Sequence, residues 1–186
     1  MARAAVFLDR DGVLNRAEVR RGKPYAPRRL RDFRLLPGTV AAGRALREAG
    51  FLLVVVTNQP DIGHGLVAPD VVEAMHARLR RHLSPDAIEV CPHRQDEGCA
   101  CRKPRPGLLC AAAARLDIDL AKSFVVGDRS HDILAGRAAG CYTVFVDRGY
   151  REPRPVKADA IVRSFPAAAR RIIGSLVPAG ATEGKR

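Results

Sequence analysis

The chain has 186 residues, enough to bury a core within one domain. It is 47% hydrophobic and 28% charged, as expected of a water-soluble globular protein, and no apolar run approaches the ~20 residues that cross a bilayer. Its formal charge is +12, and arginine supplies 27 of the 32 basic residues, but Phe 6, Tyr 3 and Trp 0 leave few aromatics for base stacking. Nucleic acid is therefore not expected as a partner, and the charge is read as attraction for small anions.

The N-terminus, MARAAVFLDR, reaches an acidic residue before a signal-peptide core can form, which predicts a cytoplasmic product. Free cysteines in that compartment are thiols or thiolate ligands rather than disulfides. One domain is expected over 1–178, with 179–186 a frayed tail.

Short apolar runs alternate with helical patterns along the chain. AAVFL (4–8), FLLVVV (51–56), AIEVC (87–91), SFVVG (123–127) and YTVFV (142–146) are continuous rather than alternating, as for strands covered on both faces. Between them lie predicted helices over 37–50, 69–83, 106–118 and 130–140, several opening on Pro and carrying basic residues late, in keeping with the helix dipole. Residues 161–177 are expected to add a last strand or helix. This order predicts a doubly wound, Rossmann-like α/β fold with a parallel sheet, whose ligands sit beyond the carboxyl ends of the strands.

The polar residues fall where that rule puts them. Asp9 and Asp11 follow the first strand, and Gly12 lets the chain turn. Two carboxylates this close repel unless a cation separates them, and an oxygen-rich site suits Mg²⁺. The second strand ends in Thr57, Asn58 and Gln59, and the fourth in Asp128, with Arg129 next and Asp132 four residues on. The loop after the third strand, CPHRQDEGCACRK, ends in Arg102 and Lys103. Its Cys91, His93, Cys99 and Cys101 form C-x-H-x5-C-x-C, a set able to close a tetrahedral Zn²⁺ shell with no open position, hence a structural site. Cys110 and Cys141 are expected in the core. His64, in the loop DIGHG, is expected at the surface, and the loop VRRGKPY (19–25) could supply cations to a phosphate.

In this order, DRDGVLN, VVTNQ, CRKP and VVGDRSHD resemble the four signature motifs of the haloacid dehalogenase superfamily of phosphohydrolases, over residues 5 to about 147. The resemblance implies that Asp9 is the nucleophile and Asp11 the general acid and base. Thr57, Arg102 and Lys103 would meet the phosphate. Asp9, Asp128 and the backbone carbonyl of Asp11 would hold Mg²⁺. Asn58, Gln59, Arg129 and Arg20 would lie near substrate. Asp132 would bind the metal through water, orient Lys103 or cap its helix.

The Cys–His loop resembles the superfamily's zinc-loop branch, which lacks a large cap domain and tends to monomers. Only 45 residues separate Thr57 from Lys103, and a helix, a strand and the loop fill them. The branch implies a small phosphorylated sugar, a heptose 1,7-bisphosphate, as substrate. TNQPDIGHGLVAPDVVEAMHARL and RKPRPGLL resemble the heptose enzymes, whereas the five-residue spacer from His93 to Cys99 is closer to histidinol-phosphate phosphatases. A polynucleotide 3′-phosphatase and a non-catalytic zinc-stabilised binding module are the remaining readings.

Overall fold

Strands without a polar face must be covered on both sides, and here a parallel sheet lies between two layers of helices. The computed structural model describes residues 2–176, so the expected tail over 179–186 lies outside the described residues. In chain order the elements are β1 (Ala5–Leu8), β2 (Glu18–Arg20), β3 (Lys23–Tyr25), α1 (Thr39–Glu48), β4 (Leu52–Asn58), α2 (Pro60–Gly63), α3 (Pro69–Leu83) and β5 (Ala87–Cys91). There follow α4 (Gly107–Leu116), β6 (Phe124–Gly127), α5 (Ser130–Ala138), β7 (Tyr142–Val146), β8 (Ala160–Val162) and α6 (Phe165–Gly174). The main sheet has the order β5-β4-β1-β6-β7-β8, every pair parallel.

The two faces are read off the strand alternation. Val6 and Leu8 of β1 join Leu53 and Val55 of β4 on one face, under Leu46 of α1, Met75 and Leu79 of α3, and Phe165 and Ile172 of α6. Ala5 and Phe7 point the other way with Val54 and Val56, against Leu109 and Ala112 of α4 and Ala135 of α5. Cys141 is buried as expected, whereas Cys110 is exposed. The buried face of α4 is Leu108, Leu109, Ala112 and Ala113, and position 110 turns away from it.

From β1 the chain moves out to β4 and β5, then returns to β6 on the other side of β1. The crevice at the carboxyl ends of β1 and β6 is thus the topological switch point, where such sheets bind ligands. Asp9 and Asp128 are the first residues past those two strands.

Three local features differ from the sequence expectation. VRRGKPY is an antiparallel hairpin, β2–β3, and its turn residues Arg21 and Gly22 have φ of 50° and 80°, the backbone of a tight two-residue turn. The DIGHG segment is anchored: it includes the short helix α2, whose Asp61 pairs with Arg28 at 2.6 Å, and Gly63 N–H donates to Pro92 O. Residues 161–177 supply most of a strand and also a helix, β8 and α6, with Ser164 accepting from Ala167 N–H as the N-cap. No large cap domain interrupts the described chain: the hairpin is the insertion after β1, and α2, α3, β5 and the Cys–His loop separate β4 from α4.

One buried polar residue ties the fold to pH. His76 sits on the apolar face of α3 and is 3% exposed. Burial, and then the charge of Arg10, push its imidazole down to about 4 from an ordinary 6.5. Between those values the unfolded chain binds a proton that the folded chain refuses, so stability falls as pH drops through this window, by roughly 3 kcal/mol at most. His76→Gln is expected to flatten that slope. Urea unfolding at pH 7 and pH 4.5 tests it, and an equal loss in wild type and variant would contradict it.

Candidate active site

The centre of the site is a buried lysine. Lys103, 3% exposed, donates from Nζ to Asp9 Oδ1 at 2.7 Å and to Val56 O at 2.8 Å, and pairs with Asp132 Oδ1 at 2.6 Å. These three donor positions satisfy the ammonium completely. Burial opposes its charge, but Asp132 and Asp9 outweigh that and hold the proton more firmly than on a free lysine. Asp132 also accepts from Arg129 N–H at 3.0 Å through Oδ2, so it both orients Lys103 and caps α5. Its side chain fits only because residue 127 is glycine: a Cβ there would lie 2.1 Å from Asp132 Cβ.

Asp128 completes the cluster. Ligand oxygens of Asp9, Asp128 and Asp132 lie within 4.8 Å of one another. Both oxygens of Asp128 are buried and make no well-aligned hydrogen bond among the described residues, although the Tyr150 hydroxyl lies beside them. Burial pushes the Asp9 carboxyl up to about 7 against the pull of Lys103, and burial with the neighbouring carboxylates drives Asp128 well above the usual range. Three carboxylates against one ammonium leave an excess of negative charge, and a buried carboxylate with idle oxygens is what a hard divalent cation accepts. The donor set therefore fits Mg²⁺. Gly12 makes the close approach tolerable: at φ +87°, its Cβ would stand 1.7 Å from Asp128 Oδ2.

Asp11 lies apart from that cluster, its carboxylate held by neighbours. Arg10 reaches it through Nε (3.2 Å) and Nη2 (3.0 Å), Asn15 Nδ2 donates at 2.8 Å, and so does Gln59 Nε2. Gln59 Nε2 also donates to Thr57 Oγ1 at 2.8 Å. Gln59, read from sequence as near substrate, is 1% exposed and sits beneath Asp11 and Thr57 as a brace. Asn58 clamps the lysine backbone, donating from Nδ2 to Lys103 O at 3.1 Å and accepting from Lys103 N–H at 3.2 Å.

A cavity of about 290 Å³ opens over these groups, lined by Asp9, Asp11, Thr57, Asn58, Lys103 and Asp132 on its floor. Lys23, Pro24 and Tyr25 of the hairpin, with Arg102, Arg129 and His131, are among the residues around it, and Asp61 and Glu152 add two carboxylates to the wall. Arg20 does not line it: although it sits directly opposite Lys23 on the same face of the hairpin, its guanidinium turns to an exposed pairing with Glu18 at 2.7 Å and over the Tyr25 ring, and Lys23 is the hairpin cation at the cavity. Arg129 is braced by Glu152 through two bonds of 2.8 and 2.7 Å. His64 is exposed, as expected, within 2.9 Å of Gln95 Oε1.

The Cys–His loop packs beside Lys103. Cys99 Sγ lies 3.6 Å from Cys91 Sγ and 3.5 Å from Cys101 Sγ, and His93 Nδ1 is 3.2 Å from Cys101 Sγ and 3.6 Å from Cys91 Sγ. A tetrahedron with Zn–S bonds of ~2.3 Å has S···S edges of about 3.8 Å. The four ligand atoms thus already stand close to the corners of such a shell. Arg105 ties the loop to Cys99 O at 2.8 Å, and the start of α4 passes so near that a Cβ on Gly107 would be 2.3 Å from Ala100 O.

Sequence reasoning missed Arg10 and His76. Arg10 is fully buried, and nothing in a charged residue between two aspartates announces that.

Known proteins resemble this chain in sequence and fold. The HAD-hydrolase-like family matches residues 100–170. D-glycero-beta-D-manno-heptose-1,7-bisphosphate 7-phosphatase of Pseudomonas aeruginosa is 38% identical over 80% of this chain and 84% of its own length. D-glycero-alpha-D-manno-heptose-1,7-bisphosphate 7-phosphatase of Mycobacterium tuberculosis is 39% identical over 75% and 77%. The crystal structure of D,D-heptose 1,7-bisphosphate phosphatase from B. bronchiseptica, complexed with magnesium and phosphate, superposes with a TM-score of 0.77 at 31% identity, covering 92% of this chain and 99% of that one. Sequence and fold thus agree over nearly the whole length, and the chain belongs to the heptose-1,7-bisphosphate 7-phosphatase family of HAD-like hydrolases.

Proposed function

We propose that this protein hydrolyses the C7 phosphate of D-glycero-D-manno-heptose 1,7-bisphosphate, with Asp9 as nucleophile. The observation that carries the reading is the buried Lys103 between Asp9 and Asp132, beside the idle oxygens of Asp128, at the floor of a cation-lined cavity. Lys103 holds Asp9 Oδ1 in place and lowers the repulsion between a carboxylate and an incoming phosphate dianion. Asp9 forms a bond to phosphorus as the bond to the sugar oxygen breaks, and Asp11 gives that oxygen a proton. A water oxygen then bonds to phosphorus, the Asp9–phosphorus bond breaks, and the Asp11 carboxylate takes the proton that the water gives up. Asp9, Asp128 and the Asp11 carbonyl would hold Mg²⁺, which would supply neutralisation of the phosphate charge. Thr57 meets the transferring oxygens. Asp132 has no direct part in bond-making and orients Lys103.

A second phosphate needs cations away from the reacting centre. Lys23 and Arg102 take that role, since Arg129 is already engaged by Glu152 and Arg20 stands outside the cavity. The cluster of Cys91, His93, Cys99 and Cys101 is read as a structural Zn²⁺ site that fixes the loop delivering Arg102 and Lys103.

Turnover with Mg²⁺ tests the substrate directly, on both anomers of the heptose bisphosphate, fructose 1,6-bisphosphate, histidinol phosphate and a 3′-phosphorylated oligonucleotide. The heptose bisphosphate is expected to lead in kcat/KM, and a lead for histidinol phosphate by orders of magnitude would refute the assignment. Asp9→Asn is expected to lower kcat on the order of 10³-fold or more on every substrate while thermal melting is unchanged or raised. Elemental analysis is expected to give one zinc per chain, absent in Cys99→Ala, whose melting point drops. Wild type without zinc would remove the clasp from the account.

A further inference from the structure

Arg10 poses a problem that the reaction scheme leaves unsolved. It is the largest fully buried side chain, and a guanidinium has only donors to offer. Nε and Nη2 are spent on Asp11. Nη1 points away from the cavity and lies 3.0 Å from His76 Nε2, while the guanidinium carbon stands 5.7 Å from the Phe33 ring centroid. Since arginine must donate, His76 Nε2 must accept, and the imidazole proton belongs on Nδ1, on the side of Glu73 Oε2 at 3.7 Å.

We infer that His76 is a positioning residue: by accepting from Arg10 Nη1, it locks the guanidinium whose other edge holds Asp11 toward the leaving group. The inference rests on the reading of Asp11 as the proton carrier. An imidazole among Val72, Met75 and Leu79 on the buried face of α3 costs desolvation, and its contact with Arg10 offsets part of that cost. A histidine kept only for packing would not need to meet the single nitrogen of Arg10 that Asp11 leaves free. Without this acceptor the guanidinium is free to turn about its stem. Asp11 then keeps Asn15 and Gln59 but loses its only charged partner among the described residues. The chain Asp11–Arg10–His76 therefore connects the proton carrier to α3, on the face of the sheet opposite α4.

Leaving-group dependence separates positioning from mere support. An alkyl phosphate needs a proton on its departing oxygen, whereas p-nitrophenyl phosphate releases a stable phenolate. His76→Leu is expected to lower kcat on the alkyl substrate about 10- to 100-fold with KM within 3-fold, and to change the aryl rate by less than about 3-fold. His76→Gln, whose amide oxygen can accept from Arg10, is expected to recover most of the alkyl rate. Equal losses on both esters, or no loss in a folded His76→Leu protein, would overturn the inference. If His76→Leu does not fold, nitrogen NMR of the wild-type imidazole decides: the Nδ1–H tautomer at pH 7 is expected, and Nε2–H would refute the contact. That readout needs no substrate. If the heptose bisphosphate is not turned over, the substrate assignment fails by itself, and the leaving-group comparison is made on the best alkyl phosphate of the panel.

Discussion

A lysine ammonium with almost no access to water is the constraint on which the site depends. Lys103 comes from the loop between β5 and α4, yet its three partners come from the ends of β1 and β4 and from the first turn of α5. Each partner alone is an ordinary polar contact. Together they fix the relative positions of four chain segments, because moving any one leaves a buried charge uncompensated, which costs several kcal/mol. The same arrangement creates the electrostatic need at its edge. One ammonium cannot balance Asp9, Asp128 and Asp132, and burial drives the surplus negative charge toward either protonation or a cation.

The remaining features place that lysine or that surplus. Asn58 grips the Lys103 backbone from β4, and the Cys–His clasp holds the chain just before it. Gly107 lets α4 begin against the clasp, while Gly12 and Gly127 each leave the space of a Cβ to a carboxylate. Arg148 donates to Gly12 O at 2.7 Å, pinning the turn after Asp11 from the far side of the crevice. These contacts explain why the reactive groups sit on a rigid floor, with the β2–β3 hairpin and its Lys23 arching over it.

Much of this was legible in the sequence. The apolar runs identified five of the six strands of the main sheet, because a strand covered on both faces leaves a continuous signal. The polar residues at their carboxyl ends followed from the topology rule, and four motifs in order implied the chemistry. Features set by orientation rather than by residue type were not legible. Arg20 and Lys23 look equivalent as loop cations and share a face of the hairpin, but Glu18 and the Tyr25 ring hold Arg20 while Lys23 lines the cavity. Gln59 carries an amide suited to substrate, and only the fold shows that it braces Asp11 and Thr57 from below. Arg10 and His76 are 66 residues apart, on a loop and a helix face, so only the packing of α3 brings them together. The hairpin turn had a usable signal in Arg21-Gly22, between two short segments too polar to register as strands.

Magnesium calorimetry on the zinc-loaded protein tests the central claim most directly. The surplus charge of Asp9, Asp128 and Asp132 predicts one Mg²⁺ per chain, with protons released near pH 7, and no binding in Asp128→Asn. Magnesium binding that survives Asp128→Asn unchanged, or no binding in the wild type, would contradict the account.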